Sequence, residues 1–176
     1  MSRVQLVTLA TALIVVLMPA SLSAQSTKAS GITSSLHKAI ALREKAIALY
    51  DDTTRAADIA RLHLEEVHYR SAKDPEAVEA LFLAAFFFKV ANRSEDARRT
   101  YETAAERALG IGDVMASAQA YLDAAWQAEK AKNKSETRRL ATKAWLLSAS
   151  PLLRNEQRIW IRNQIESAPA FAIGIK

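Results

Sequence analysis

Apolar residues return along this chain every three or four positions, in successive runs separated by short polar breaks. That spacing puts them on one face of a helix. From residue 34 onward the runs are introduced at regular intervals by residues that start helices. Ser34, Asp74 and Asp113 form one set, 40 and 39 residues apart, and Thr53, Ser94 and Ser135 form a second, separated by 41 and 41. A short side-chain acceptor ahead of such a run satisfies the orphan N–H groups of a first turn. Pro75 follows Asp74 and Pro151 follows Ser150, each at the favoured first helical position. Gly110 and Gly112 fall between two runs, where a left-handed C-terminal cap is expected. The pattern predicts helices over 35–50, 54–70, 75–91, 95–109, 114–131, 136–149 and 152–166. It describes an all-α stack of about three antiparallel hairpins and a closing helix.

The side chains repeat with the breaks. Ala84, Ala85, Phe86 and Ala91 correspond, at a shift of 40, to Ala124, Ala125, Trp126 and Ala131. At the same shift Arg98, Arg99 and Ala104 correspond to Arg138, Arg139 and Ala144. Small residues let two helices approach to about 8–10 Å, and an internal period in the 20–50 range signals stacked supersecondary units. The run from Ala80 to Ala91 carries Lys89 as its one charge. A helix apolar nearly all round must be covered on several sides, which places this one at the middle of the stack. The last helix sets Leu152, Leu153, Ile159, Ile161 and Ile165 against Arg154, Glu156, Arg158 and Arg162, the polar balance of a capping unit.

Residues 1–24 have a different pattern. Arg3 precedes a run from Leu6 to Met18 that is apolar apart from Thr8 and Thr11; Pro19 and the small residues Ser21, Ser23 and Ala24 follow. This is the layout of a cleavable export signal, and it implies a periplasmic or secreted protein. The run falls short of the ~20 residues that span a bilayer, so membrane contact is expected only through this segment if it stays uncleaved. Residues 25–33 are small and polar and read as a flexible lead-in, residues 34–166 as the repeat domain. The apolar tail 167–176 either packs back on the last hairpin or serves as a docking peptide.

Composition narrows the chemistry. The chain has 176 residues with only four Gly and four Pro, which favours long helices over a many-stranded sheet. It has no Cys, which excludes disulfides, thiolate catalysis and Cys-ligated metal. The net charge is +5, or +4 without Arg3 (23 basic against 19 acidic residues), a modest excess that does not mark a nucleic-acid binder.

The unit comprising Ala85, Phe88, Asn92, Ala97, Tyr101 and Ala104 resembles the small–aromatic–turn–Ala–aromatic–Ala pattern of the tetratricopeptide (TPR) family. Pro75 and Pro151 resemble the family's proline near the repeat boundary. Residues 114–149 keep the alanines but place Ala128 and Thr137 where the family has an aromatic and an Ala. The period near forty exceeds the family's 34, and a HEAT-type stack, whose units run nearer forty, is the alternative. The resemblance implies a scaffold that binds an unidentified protein or peptide along a concave face lined by the first helix of each hairpin. That face would comprise Phe82, Phe86 and Lys89 from one hairpin and Gln119, Leu122, Trp126 and Glu129 from the next. The Lys/Asn set with which some members clamp a C-terminal carboxylate is missing. Phe86 and Trp126 are also readable as core, since an aromatic stripe at helical spacing commonly packs.

Catalytic and metal-binding patterns are absent from the sequence. His63 and His68 are five apart, against the four that a zincin helix needs. The cluster His63-Leu64-Glu65-Glu66-Val67-His68 therefore reads as solvated ion pairs on a helix surface. There is no Gly-rich phosphate loop and no nucleophile–base constellation. No catalytic residue, metal ligand or cofactor is expected, and no enzyme activity. Arg98, Arg99, Arg138 and Arg139 would align on the second helices of two hairpins as a basic stripe, either a solvated outer face or a contact for an anionic partner. A structural, envelope-associated domain that self-associates or sits on an anionic surface is thus the alternative to the scaffold; the oligomeric state is open.

Overall fold

The computed structural model describes residues 26–171. Seven α-helices follow one another: α1 (Ser26–Ile47), α2 (Ala56–His68), α3 (Pro75–Val90), α4 (Ser94–Gly110), α5 (Val114–Lys130), α6 (Lys134–Leu147) and α7 (Asn155–Glu166). Short 3₁₀ turns occupy Thr53–Arg55 and Pro169–Phe171, and no strand occurs among the described residues. Each helix packs on the next in chain order, and α7 closes against both α5 and α6. The fold is all-α, with the consecutive packing of a helical stack. The expected export segment 1–24 and tail residues 172–176 lie outside the described residues.

The middle turns share one geometry at a fixed interval. Asn92 (φ 57°), Gly112 (φ 84°) and Lys132 (φ 58°) are the left-handed residues, twenty apart. After each, the next backbone N–H donates to a carbonyl five residues back: Arg93 to Phe88, Asp113 to Ala108 and Asn133 to Ala128, all at 2.9 Å. These are Schellman turns. Each turn also fixes where the next helix begins, which corrects several expected caps. Asn133, not Ser135, caps α6 by accepting from the Glu136 N–H at 3.2 Å, and Arg93 sits in the N-cap slot that Ser94 was expected to fill. Asp74 and Asp113 cap as expected, accepting from Glu76 at 3.0 Å and Ala116 at 2.9 Å. Asp52 caps the 3₁₀ turn that Thr53 opens. Pro151 lies in the turn before α7, which starts three residues later than expected, at Asn155.

At the N-terminal end α1 begins at Ser26, so the expected lead-in is helical and Ser34 lies inside the helix rather than capping it. Ile32, Leu36 and Ile40 carry the four-residue apolar spacing upstream without a proline to stop it.

Alanine dominates the interfaces. Ala84, Ala85, Ala97, Ala104, Ala124, Ala125, Ala141 and Ala144 are all fully buried. One core group joins α1 to α4 around Ile59, Phe87 and Phe88; a larger one runs from α3 to α7 around Leu81, Tyr101, Tyr121, Leu140 and Ile161. Phe171 is fully buried in the larger group, so the tail packs back on the last hairpins as far as it is described. Along α3 eight residues are buried, and Phe86 is left 44% exposed.

The His63-to-His68 cluster is solvated only in part: Glu65 and His68 are exposed, while the other pair is enclosed. His63 and Glu66 are both fully buried, and Arg70 nearly so. Glu66 Oε1 accepts from Arg43 Nε at 2.8 Å and from Arg70 Nε at 2.7 Å. Its Oε2 lies 3.0 Å from His63 Nδ1. A carboxylate there accepts a hydrogen bond from Nδ1–H, and Nε2, 2.7 Å from the Tyr50 hydroxyl, is then placed to accept from that group. Arg70 continues to Asp74 at 3.0 Å and Glu76 at 2.6 Å, and Arg43 to Glu79 at 3.3 Å. One carboxylate thus ties α1 and α2, and its two arginines reach α3. Surface pairing fails as a description because His63 and Glu66, three apart, share the inward side of α2 with Ile59 and Ala60. Burial pushes the Glu66 carboxyl up, but hydrogen bonds from His63 and Arg70 and the charges of Arg43 and Arg70 hold it below its ordinary 4.5.

Gly112 has open space where a Cβ would stand, so Gly112→Ala should cost only left-handed strain, about 1 kcal/mol, while Lys132→Gly should gain up to about that amount, both read by urea unfolding. Glu66→Ala should cost about 3 kcal/mol by removing the buried acceptor that Arg43, Arg70 and His63 share, although both arginines keep other carboxylates. The stability contributed by ionised Glu66 is present above the unfolded-chain carboxyl value and is lost as pH falls through its lowered folded value, below 4.5. An acid titration of stability should therefore be shallower in Glu66→Gln than in the wild type below pH 4.5.

Candidate functional site

The two aromatics forty residues apart stand on alternate helices and are neither fully buried nor fully free. Phe86 on α3 is 44% exposed and Trp126 on α5 is 43% exposed. On α3, Phe82, Phe86 and Lys89 share one side of the helix at i, i+4 and i+7 spacing. Phe82 is half-buried, edge-on to Tyr101 at 5.9 Å, and the Lys89 ammonium stands 5.0 Å from the Phe86 ring centre. On α5, Gln119 and Glu129 are half-buried. Leu122, expected beside them, is 2% exposed and part of the larger core; its apolar side chain is covered where polar neighbours are not.

Asp123 belongs to this face and was missed. It accepts from Gln119 Nε2 at 3.0 Å. Burial raises its carboxyl above the ordinary 3.8, against the Gln119 hydrogen bond and the Lys89 charge. The Lys89 field reaches Asp123 across the boundary between α3 and α5, which connects the two helices' contributions. A signal was available: Asp123 is the one charged residue between Asp113 and Glu129, four after Gln119 and three before Trp126.

The four arginines do not form an unbroken positive stripe. Arg98, 9% exposed, lies against Glu95 and Glu136 at 2.8 Å and Glu102 at 3.0 Å. Arg139 pairs with Glu102 at 2.7 Å and with Glu136, Arg99 with Glu95 at 2.7 Å, and Lys143 with Glu102 at 3.0 Å. The arginines were legible and their counter-charges were not weighed. Glu95, Glu102 and Glu136 fall at three or four residues from them along each helix, or across from α4 to α6. The hydrogen bond from Arg98, with help from Arg99, holds the Glu95 carboxyl down to about 2. The result is a neutralised ladder that bolts α4 to α6.

Arg138 alone of the four stands apart, on the other side of α6. There it meets residues of the expected binding face. Trp126, Glu129, Lys134, Arg138, Pro169 and Ala170 line an open cleft of about 560 Å³ at the α5–α6 corner. Phe171 packs on Trp126 with ring centres 4.5 Å apart, tilted by 51°, and so fixes the indole that walls the cleft. The structure thus brings together members of two sets that the sequence kept separate.

Among the described residues, no group of three or more His, Asp or Glu is placed to hold a metal ion, and no helix is long and apolar enough to cross a membrane. Searches against protein-family models, curated proteins and solved structures found no match to this chain.

Proposed function

We propose that this chain is an exported, periplasmic or secreted, TPR-like scaffold without catalysis of its own, which binds a protein or peptide along the face formed by α3 and α5. The observation that carries the reading is the pair Phe86 and Trp126: equivalent positions in successive hairpins, each leaving more than 40% of a large aromatic surface in solvent. Half-exposed aromatics on a rigid framework are the side chains that most often dominate binding energy. Their polar neighbours, Lys89, Gln119, Asp123 and Glu129, would orient a bound chain. The near-forty period and the repeated turns support an assembly of equivalent hairpins.

Self-association is the second reading, and a different observation favours it. Ile32, Leu36, Ile40 and Ile47 are 68%, 44%, 42% and 53% exposed along one side of α1, the end helix of the stack. A terminal unit facing only water is expected to be polar there.

Affinity capture from the producing cell's envelope extract tests the first reading. The wild type should retain one heterologous protein, and Phe86→Ala and Trp126→Ala should each weaken it at least about tenfold with helical circular dichroism unchanged. Undiminished capture by both variants, or loss of helicity, would sink the assignment. For the second reading, light scattering across a concentration series should show a dimer in the wild type and a monomer in Leu36→Lys/Ile40→Lys.

A further inference from the structure

We infer that the cleft beside Trp126 is an anion-recognising subsite of this face, and that its occupant is an acidic peptide segment with an apolar side chain next to a carboxylate. The inference rests on the peptide-binding reading and specifies the partner's chemistry. Charge complementarity carries it. Lys134 and Arg138, four residues apart on α6, line the cleft, and neither has an ion-pair partner among the described residues. Of the other cations on α4 and α6, Arg98, Arg99, Arg139 and Lys143 meet carboxylates, and Arg107 donates instead to the Ser71 carbonyl at 2.7 Å. Lys130 and Lys132, exposed and likewise unpaired, add to the same corner, and Glu129 is the single carboxylate in the lining. A cationic partner would meet this excess as repulsion, whereas a carboxylate between Lys134 and Arg138 gains charge-assisted hydrogen bonds.

The cavity's shape and its aromatic wall supply the rest. About 560 Å³ is within the range that holds a small ligand or a few side chains. Trp126, fixed from one side by Phe171, presents an apolar surface that needs little ordering on binding. An apolar side chain can lie on the indole while the neighbouring carboxylate reaches the two cations. The site is recessed and rimmed by Pro169, which suits an extended peptide better than a flat anionic bilayer.

The test uses the ¹⁵N-labelled chain and two blocked peptides, Ac-Ala-Glu-Phe-Glu-Ala-NH₂ and the same sequence with Gln for Glu. The readout is the indole N–H resonance of Trp126, assigned with Trp126→Phe. The Glu peptide should shift it saturably, and the Gln peptide should bind at least about tenfold more weakly, the scale of a charged hydrogen bond. Lys134→Gln/Arg138→Gln, both at exposed positions, should abolish that preference without changing circular dichroism. Equal affinity for the two peptides, a preference that survives the double variant, or no saturable shift would overturn the inference. So would Lys134- and Arg138-dependent binding to phosphatidylglycerol vesicles without binding to the Glu peptide. Equal binding of both peptides that disappears in Trp126→Ala would defeat the acidic specificity while leaving the peptide face standing.

Discussion

Alternate helices of this protein can reach one another because alanine occupies the interfaces between consecutive ones. A methyl group allows axes to approach within about 8–10 Å, and at that separation a side chain on one helix spans to the next but one. Arg98 on α4 then meets Glu136 on α6, Arg43 on α1 meets Glu79 on α3, and the Lys89 charge on α3 is felt by Asp123 on α5. Larger residues at Ala97, Ala104, Ala124 or Ala144 would push the helices apart and uncouple all of these links together. The ion pairs therefore depend on the close packing, and their arrangement reports it.

Two kinds of charged cluster share this framework, and burial separates them. Around Glu66 the carboxylate is wholly enclosed and must be satisfied by Arg43, Arg70 and His63. That network holds the first three helices in place beside the smaller core group, where Ile59, Phe87 and Phe88 pack among the alanines. Between α4 and α6 the pairs are mostly half-exposed, so individual bonds contribute little and the ladder as a whole sets alignment. The unpaired cations at the α5–α6 corner stand out against both, since Arg98 and Arg99 on α4 and Arg139 on α6 each have an acid within reach.

Much of the architecture could be read from the amino-acid order because helices, caps and breaks are local. The starts of α3, α4 and α5 fall within one residue of the expected 75, 95 and 114, since proline, aspartate and the Schellman turn act within a few positions. The failures concern contacts across helices. Whether Glu66 faces water or Arg70, and whether Arg98 stands free or between three carboxylates, depends on which side of each helix the stack covers. Leu122 was misplaced and Asp123 missed for the same reason: adjacent residues point about 100° apart, and a small error in orientation exchanges core for surface. The cleft at Trp126 was out of reach because its walls come from α5, α6 and a 3₁₀ turn some forty residues further on.

The twenty-residue interval between Asn92, Gly112 and Lys132 has an evolutionary corollary. Each turn reverses the chain, so a single helix-plus-turn added or lost would send every later helix up where it had run down. Trp126 would then leave the side it shares with Phe86. Length variants that keep a continuous face must therefore change by whole hairpins, in steps close to forty residues, and a sequence differing by one twenty-residue block would have to build its surface anew.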